Sequence, residues 1–120
     1  MNRKELKQQY KESRPPMGVY RVHNKVGDRT LLGTSNNLPA MLNRQLAQLK
    51  MGAHANRELQ QDWNQLGPEA FEFEVLDTLA PPEEPDYNPA ADLSVLEALW
   101  LDRLAPYDER GYHKRPTAKL

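Results

Sequence analysis

The sequence contains no cysteine. This absence excludes disulfide bonds, zinc sites with cysteine ligands and thiol nucleophiles together, and it is what a reducing compartment permits. Long apolar runs are also missing, since no stretch approaches the roughly twenty apolar residues that a membrane-spanning helix needs. The first residues, MNRKELKQQYKES, lack the apolar run of a secretory signal. We therefore expect a soluble, cytoplasmic protein without a membrane segment.

Motifs of several enzyme classes are missing as well. The sequence contains no glycine-rich phosphate loop, no HExxH pair and no Ser-His-Asp pattern. Its three histidines, at positions 23, 54 and 113, do not have the spacing of a metal site. A chain of 120 residues is long enough for one domain with one modest core. We therefore expect a single active or binding face.

The formal net charge of −1 conceals a separation of charge along the chain. Residues 1–57 contain 11 basic and 3 acidic side chains, whereas residues 58–109 contain 1 basic and 14 acidic ones. Residues 110–120 add 4 basic side chains and no acidic one. Such asymmetry favours a surface that faces a polyanion, or a self-complementary interface. The alternative is a solvated surface on which the two signs happen to segregate.

The first half of the sequence predicts a β-hairpin followed by a helix. Met17–Asn24 and Arg29–Thr34 are rich in β-type residues, and the Lys-Val-Gly-Asp stretch between them predicts a connection in which Gly27 adopts positive φ. The pair Asn36-Asn37 offers a cap for a helix that ends near Gly52. Leucines recur along this helix at helical spacing, at positions 38, 42, 46 and 49.

The rest of the chain predicts helices and one further strand. Capping residues, helical periodicity and the alternation of apolar with acidic residues define these elements, and the acidic, proline-rich PPEEPDYNPA stretch predicts a loop. The elements are a polar helix over Asn2–Ser13; a helix over His54–Leu66, ended by Gly67, with Leu59, Trp63 and Leu66 on one side; a strand over Ala70–Leu76, with Phe71, Phe73 and Val75 on one face; and a helix over Leu93–Leu104 with Asp92 as its cap.

This order of elements predicts one domain of the α/β (α+β) class with mixed or antiparallel strands. Two strands without an intervening helix argue against a doubly wound sheet. We expect residues 1–16 to form a helical appendage, residues 17–113 to form the domain, and residues 114–120 to form a flexible basic tail.

Glu97 is the most informative residue of the last predicted helix. At about 100° per residue, it falls inside an apolar stripe rather than opposite to it. Burial of an unpaired carboxylate costs several kcal/mol, so Glu97 must meet a cation, a metal ion or strong donors, or lie beside a cleft. A structural ion pair and a metal or catalytic site both remain open. The stripe consists of Leu93, Leu96, Trp100 and Leu104.

Tyr20 and His54 also have two interpretations each. Tyr20 is either an ordinary sheet aromatic or a catalytic phenol. His54 opens the second predicted helix, where a polar ring can lie over an anion, or it is an exposed histidine near the cap. Arg44 and Arg57 are solvated unless a phosphate is present.

Considered together, these residues resemble the GIY-YIG nuclease superfamily. Gly18-Val19-Tyr20 matches the GIY motif and Leu31-Leu32-Gly33 matches the YIG motif, with the ten residues Arg21 to Thr30 between them. The LPAMLNRQLAQLKMGAH helix, the NRELQQDWNQLG helix, the FEFEVL strand and the ExxW pattern of Glu97 to Trp100 follow in the family's order. The resemblance extends from about Met17 to His113.

The resemblance implies a small three-stranded antiparallel sheet flanked by helices, and cleavage of a DNA phosphodiester with one Mg²⁺ or Mn²⁺ ion. It implies that Glu97 is the metal ligand, that Tyr20 activates or orients the water, and that His54 binds or polarises the phosphate region. A metal-assisted attack on phosphorus needs these groups, a hard oxygen ligand, a positioned water and cations. DNA is the expected partner, with nucleic-acid contacts at Arg21, Arg44, Lys50, Arg57 and His113.

Three positions depart from the family pattern. Leu31 replaces the YIG tyrosine, Met41 replaces the arginine of the first helix, and His113 replaces an asparagine. Arg44 lies about 4.5 Å further along the helix and can reach the same phosphate. We expect Tyr20, His54 and Glu97 to line one pocket, with Met41 in the place of the guanidinium and Arg44 on the rim.

The sequence thus leaves three functions open. The first is a metal-dependent DNA endonuclease whose activity is weak or lost because of Leu31 and Met41. The second is a module derived from such a nuclease that binds nucleic acid without cleaving it. The third is a protein-interaction domain with an acidic surface.

Overall fold

The computed structural model describes Arg3, residues 15–80 and residues 86–115. Within these ranges the chain forms the predicted order of strand, strand, helix, helix, strand and helix. Apart from Arg3, the predicted helix Asn2–Ser13 lies outside the described residues, as do positions 116–120 of the predicted tail. The elements are β1 Met17–Asn24, β2 Arg29–Ser35, α1 Leu38–Lys50, α2 Arg57–Leu66, β3 Phe71–Leu79 and α3 Ala90–Leu104, with short 3-10 turns at Pro68–Ala70 and Asp108–Arg110.

The three strands form an antiparallel sheet with the order β2-β1-β3. This confirms the predicted α+β class and the sheet that the resemblance implied. β1 is the central strand, and Tyr20 of β1 pairs with Gly33 of β2 and with Val75 of β3. Because side chains alternate along a strand, Tyr20 and Val22 lie on one face of the sheet, and Arg21 and His23 lie on the other.

The turn between β1 and β2 differs from the prediction in its backbone. Asp28, rather than Gly27, adopts positive φ, at 53°. The Asn24 side-chain oxygen accepts hydrogen bonds from the backbone N–H groups of Val26 and Gly27, each at 3.0 Å. This Asx-type arrangement organises the turn and leaves the left-handed position to the residue before β2.

Helices α1 and α2 cover the Tyr20 face of the sheet with an apolar core. As predicted, Leu38 and Leu49 of α1 are buried. Trp63 of α2 stacks against Phe71 at 5.3 Å between ring centroids, which joins the helix to the end of the sheet. The buried members of this core are Val22, Leu49, Leu59, Trp63, Ala70, Phe71 and Tyr112.

Several predicted element boundaries and faces are corrected. Asn56 caps α2 through its side chain, which accepts from the Leu59 N–H, so the helix begins at Arg57 and His54 precedes it. Leu66 is 41% exposed because it ends the helix before Gly67.

The third strand and third helix also differ from the prediction. Val75 is 46% exposed although it shares a face with Phe71 and Phe73, and the β1–β3 register shifts directly after it. The helix α3 begins at Ala90 after Pro89, so Asp92 lies in its first turn rather than at its cap.

The C-terminal segment is held against the edge of the sheet. The Tyr112 hydroxyl donates to Asp62 Oδ2 at 2.7 Å, and Arg29 Nη1 donates to the same oxygen at 3.0 Å. The Arg29 guanidinium also lies 4.2 Å from the centre of the Tyr112 ring. Burial and the neighbouring Asp62 raise the pKa of Tyr112. Within the described ranges, every helix is too short or too polar to span a bilayer.

Candidate active site

The side chain of Tyr20 lies over Gly33 of the edge strand β2 rather than perpendicular to the sheet. Its side chain is only 6% exposed. A Cβ atom placed on Gly33, its cross-strand partner, would lie 2.5 Å from the Tyr20 hydroxyl oxygen and 2.7 Å from Cζ. The phenol therefore occupies the space that any side chain at position 33 would need. Tyr20 and Gly33 therefore pack as one unit, because the ring of Tyr20 fits only against a residue without a side chain.

A buried glutamine connects Tyr20 to His54. Gln45 of α1 is 8% exposed. Its Nε2 donates to the Tyr20 hydroxyl oxygen at 3.3 Å, and its Oε1 lies 2.5 Å from His54 Nε2. Met41 Sδ lies 3.6 Å from the same Gln45 nitrogen. The network therefore runs from the central strand through α1 to the loop before α2.

The backbone fixes the tautomer of His54. Its Nδ1 accepts a hydrogen bond from the Asn56 N–H at 3.0 Å, so the proton of the neutral ring is on Nε2. Nε2 then donates to Gln45 Oε1, which directs the amide nitrogen of Gln45 toward Tyr20. Burial lowers the pKa of His54, which keeps the ring neutral near pH 7. The hydroxyl oxygen of Tyr20 thus accepts a hydrogen bond, and its own proton is free to be donated.

Glu97 and Arg44 act on Tyr20 through their charges. Burial raises the pKa of Tyr20, the charge of Glu97 raises it further, and the charge of Arg44 lowers it. Because burial is the largest cause, the phenol remains protonated at neutral pH. Glu97 is half-buried and Arg44 is exposed.

The position of Glu97 depends on how α3 is attached to the sheet. Trp100 Nε1 donates to Asp77 Oδ2 of β3 at 3.1 Å, and the Arg103 guanidinium lies 4.8 Å from the centre of the Trp100 ring. Leu93 is buried at the other end of the helix. α3 packs against β1 and β2. These contacts fix the register of the helix, and therefore of the carboxylate, against the sheet.

The other predicted contact residues lie in two different settings. Lys50 and Arg57 are exposed, as Arg44 is. Arg21 instead donates from Nε to Glu74 Oε2 at 3.0 Å, and His113 Nε2 accepts from the Leu32 N–H of β2 at 2.8 Å. Burial lowers the pKa of His113. Arg21 and His113 therefore already have partners in the fold, and their predicted nucleic-acid contacts remain predictions.

The expected pocket of Tyr20, His54 and Glu97 remains a prediction. Tyr20 is buried, and Gln45 separates it from His54. Residues 15–80 and 86–115 contain no cluster of three or more histidine, aspartate or glutamate side chains that could hold a metal ion. Among these residues, Glu97 is the carboxylate whose charge raises the pKa of Tyr20.

One of the comparisons with known proteins bears on the fold. No protein-family model matches the sequence, and no curated protein matches it. Among solved structures, the catalytic domain of the homing endonuclease I-TevI is similar, with a TM-score of 0.63, 24% identity, and coverage of 80% of this chain and 95% of that one. A point mutant of the catalytic domain of intron endonuclease I-TevI has a TM-score of 0.62 and 19% identity, covering 75% and 84%. The described part of this chain therefore has the fold of the I-TevI catalytic domain.

Proposed function

We propose that the chain is a DNA endonuclease that hydrolyses phosphodiester bonds with one Mg²⁺ or Mn²⁺ ion. One observation supports this function best. The Tyr20 phenol, positioned by Gly33 and Gln45, lies within electrostatic reach of a half-buried carboxylate, Glu97, and of an exposed cation, Arg44. A carboxylate, a donor hydroxyl and a cation are the groups that metal-assisted phosphoryl transfer needs.

Glu97 is the residue that would hold the cation. Magnesium is commonly bound through one or two carboxylates and keeps several waters, so a single carboxylate suits a site that substrate phosphate oxygens complete. When bound, the cation polarises the phosphoryl group and stabilises the negative charge that develops during the reaction. Half-burial of Glu97 reduces the competition of bulk water for its oxygens.

Tyr20 would orient the attacking water rather than remove its proton. Its raised pKa keeps the phenol protonated, and Gln45 already donates to its oxygen. The phenolic proton can therefore be donated to a water oxygen and fix the direction of attack. In the reaction the water oxygen forms a bond to phosphorus, one P–O ester bond breaks, and the leaving oxygen takes up the proton that the water loses.

Arg44 and His54 would act at the rim of the site. Arg44 is exposed and can form a bidentate contact with a phosphate group. The neutral His54 ring would hold Gln45, and through it Tyr20, in the required orientation. Met41 contributes a thioether at the position where the family resemblance implies arginine, so stabilisation of the developing charge depends on Arg44 and the cation.

The direct test is nicking of supercoiled plasmid by the pure protein with Mn²⁺, beside a Glu97→Ala variant. The proposal predicts open-circular product with the wild type and none with the variant. Equal absence of product from both proteins over a long incubation would contradict cleavage.

The second candidate is a module that binds nucleic acid without cleaving it. The observation that favours it is Met41 beside Gln45, where a guanidinium would stabilise the reaction. In both cases duplex binding should weaken steeply with salt, because each neutralised phosphate releases counterions. Replacement of Arg44 and Arg57 should flatten that slope. Binding that is indifferent to salt, or absent at low salt, would remove nucleic acid as the partner.

A further inference from the structure

A second basic feature lies on the face of the sheet opposite Tyr20. A cavity of about 220 Å³ is lined there by Arg21 and His23 of β1, by Arg103 at the end of α3 and by Arg110 of the last 3-10 turn. The three arginines come from three separate elements of the fold. The sequence alone does not show that these arginines lie together, because position 21 is more than eighty residues from position 103 along the chain.

The charges around the cavity do not cancel. Asp28 is the acidic side chain in its lining. Asp28 is 88% exposed, and its Oδ1 lies 3.3 Å from His23 Nε2. Three guanidinium groups therefore share the cavity with two carboxylates, which are Asp28 in its lining and Glu74 paired with Arg21. A bound anion would relieve their mutual repulsion, which is the usual reason for such a cluster to bind oxyanions.

Two of the arginines are also fixed in position before any ligand binds. Arg21 directs Nε and Nη2 to Glu74 Oε2, at 3.0 and 2.9 Å, which uses two of its five N–H groups. Arg103 is held over the Trp100 ring. Guanidinium groups that are ordered in this way lose less conformational entropy when they bind, which favours a planar, bidentate contact with phosphate.

We propose that this cavity binds a phosphate group of the DNA backbone. The proposal rests on the proposed function, because it takes DNA as the molecule that the cavity binds. Glu97 and Arg103 are six residues apart on α3, which is about 9 Å along the helix axis and about 120° around it. The cavity would then hold the DNA backbone next to the helix that carries Glu97.

The first experimental arm uses inorganic phosphate, followed by amide NMR shifts of residues around the cavity. Arg110→Gln should weaken phosphate binding about tenfold, the effect of losing one charge-assisted hydrogen bond. Lys25→Gln is the matched control, because it removes one positive charge outside the cavity lining. Arg103→Gln is the second variant in case Arg110→Gln fails to fold. Equal affinity of all four proteins would overturn the proposal.

The second arm uses a short duplex without terminal phosphates and measures affinity against salt concentration. Loss of the cavity contact should lower the slope of log affinity against log salt by about 0.9. Phosphate binding with an unchanged DNA slope would overturn the assignment to the DNA backbone in favour of free phosphate. A reduced slope together with no plasmid nicking would support the cavity and contradict only the proposed cleavage. The two proposals can therefore fail independently.

Discussion

The contact between Tyr20 and Gly33 predicts a large effect from a very small substitution. In Gly33→Ala, the new Cβ would lie 2.5 Å from the Tyr20 hydroxyl oxygen, 2.7 Å from Cζ and 2.9 Å from Cε1. Ordinary contacts between heavy atoms are at about 3.5 Å or more, so the ring would have to move by about 1 Å. Tyr20 is 6% exposed, so its neighbours resist that movement.

The expected cost has two parts. Overpacking of a well-packed region costs about 1–3 kcal/mol. Displacement of the phenol also removes the hydrogen bond from Gln45, which contributes about 1 kcal/mol. We therefore expect Gly33→Ala to lower the free energy of unfolding by about 2–4 kcal/mol, measured by urea denaturation as a shift of the midpoint at unchanged slope.

Two controls separate this contact from the general effect of replacing a glycine. Gly27→Ala places its Cβ 3.1 Å from one atom of the Asn24 side chain, and we expect it to cost less than about 1 kcal/mol. In a Tyr20→Leu background the ring is absent, so Gly33→Ala should cost at least about 1 kcal/mol less than in the wild type. A Gly33→Ala protein within about 0.5 kcal/mol of the wild type would refute the packing argument.

Three further predictions concern titration. Gln45→Glu places a carboxylate against His54, so the pKa of His54, followed by NMR, should rise relative to the wild type; an unchanged value would show that the contact is not formed. Glu97→Gln removes a charge that raises the pKa of Tyr20, so phenol absorbance should titrate at lower pH than in the wild type. An identical titration would show that the charge of Glu97 does not act on Tyr20. Burial lowers the pKa values of His54 and His113, so the unfolded state binds protons before the folded state as the pH falls below about 6.5. The melting temperature should therefore fall in this range. A constant melting temperature from pH 7.5 to 5 would contradict the burial of both rings.

Elements with strong local patterns were predictable from the sequence. The strands of the hairpin and the helix after Asn37 follow from alternation, leucine spacing and a capping side chain, which are all local. Boundaries that depend on competing local bonds were predicted less well. Asn56 rather than His54 starts the second helix, because its side chain reaches the Leu59 N–H. Likewise, two hydrogen bonds to Asn24 select the turn conformation in the hairpin.

The candidate site could likewise be predicted only in part from the sequence. The argument that identified Glu97, a polar residue inside an apolar helical stripe, applies equally to Gln45, which lies three residues after Leu42 and four before Leu49. That pattern could have identified the glutamine as buried. Its two partners could not have been predicted, because they depend on how α1 packs over β1 and on the loop path before α2. The partners of Arg21 and His113 depend on strand register and chain path in the same way.

The most direct test of the central claim is the rate of Mn²⁺-dependent plasmid nicking by the wild type, by Glu97→Gln and by Asp102→Asn. Asp102 is an exposed carboxylate on the same helix, so its variant controls for the loss of one negative charge on α3. If Glu97 holds the cation, Glu97→Gln should lower the rate at least about 100-fold, since the cation supplies several kcal/mol of charge stabilisation. The Asp102 variant should nick at the wild-type rate. Equal nicking by all three proteins would contradict the assignment of Glu97 as the metal ligand.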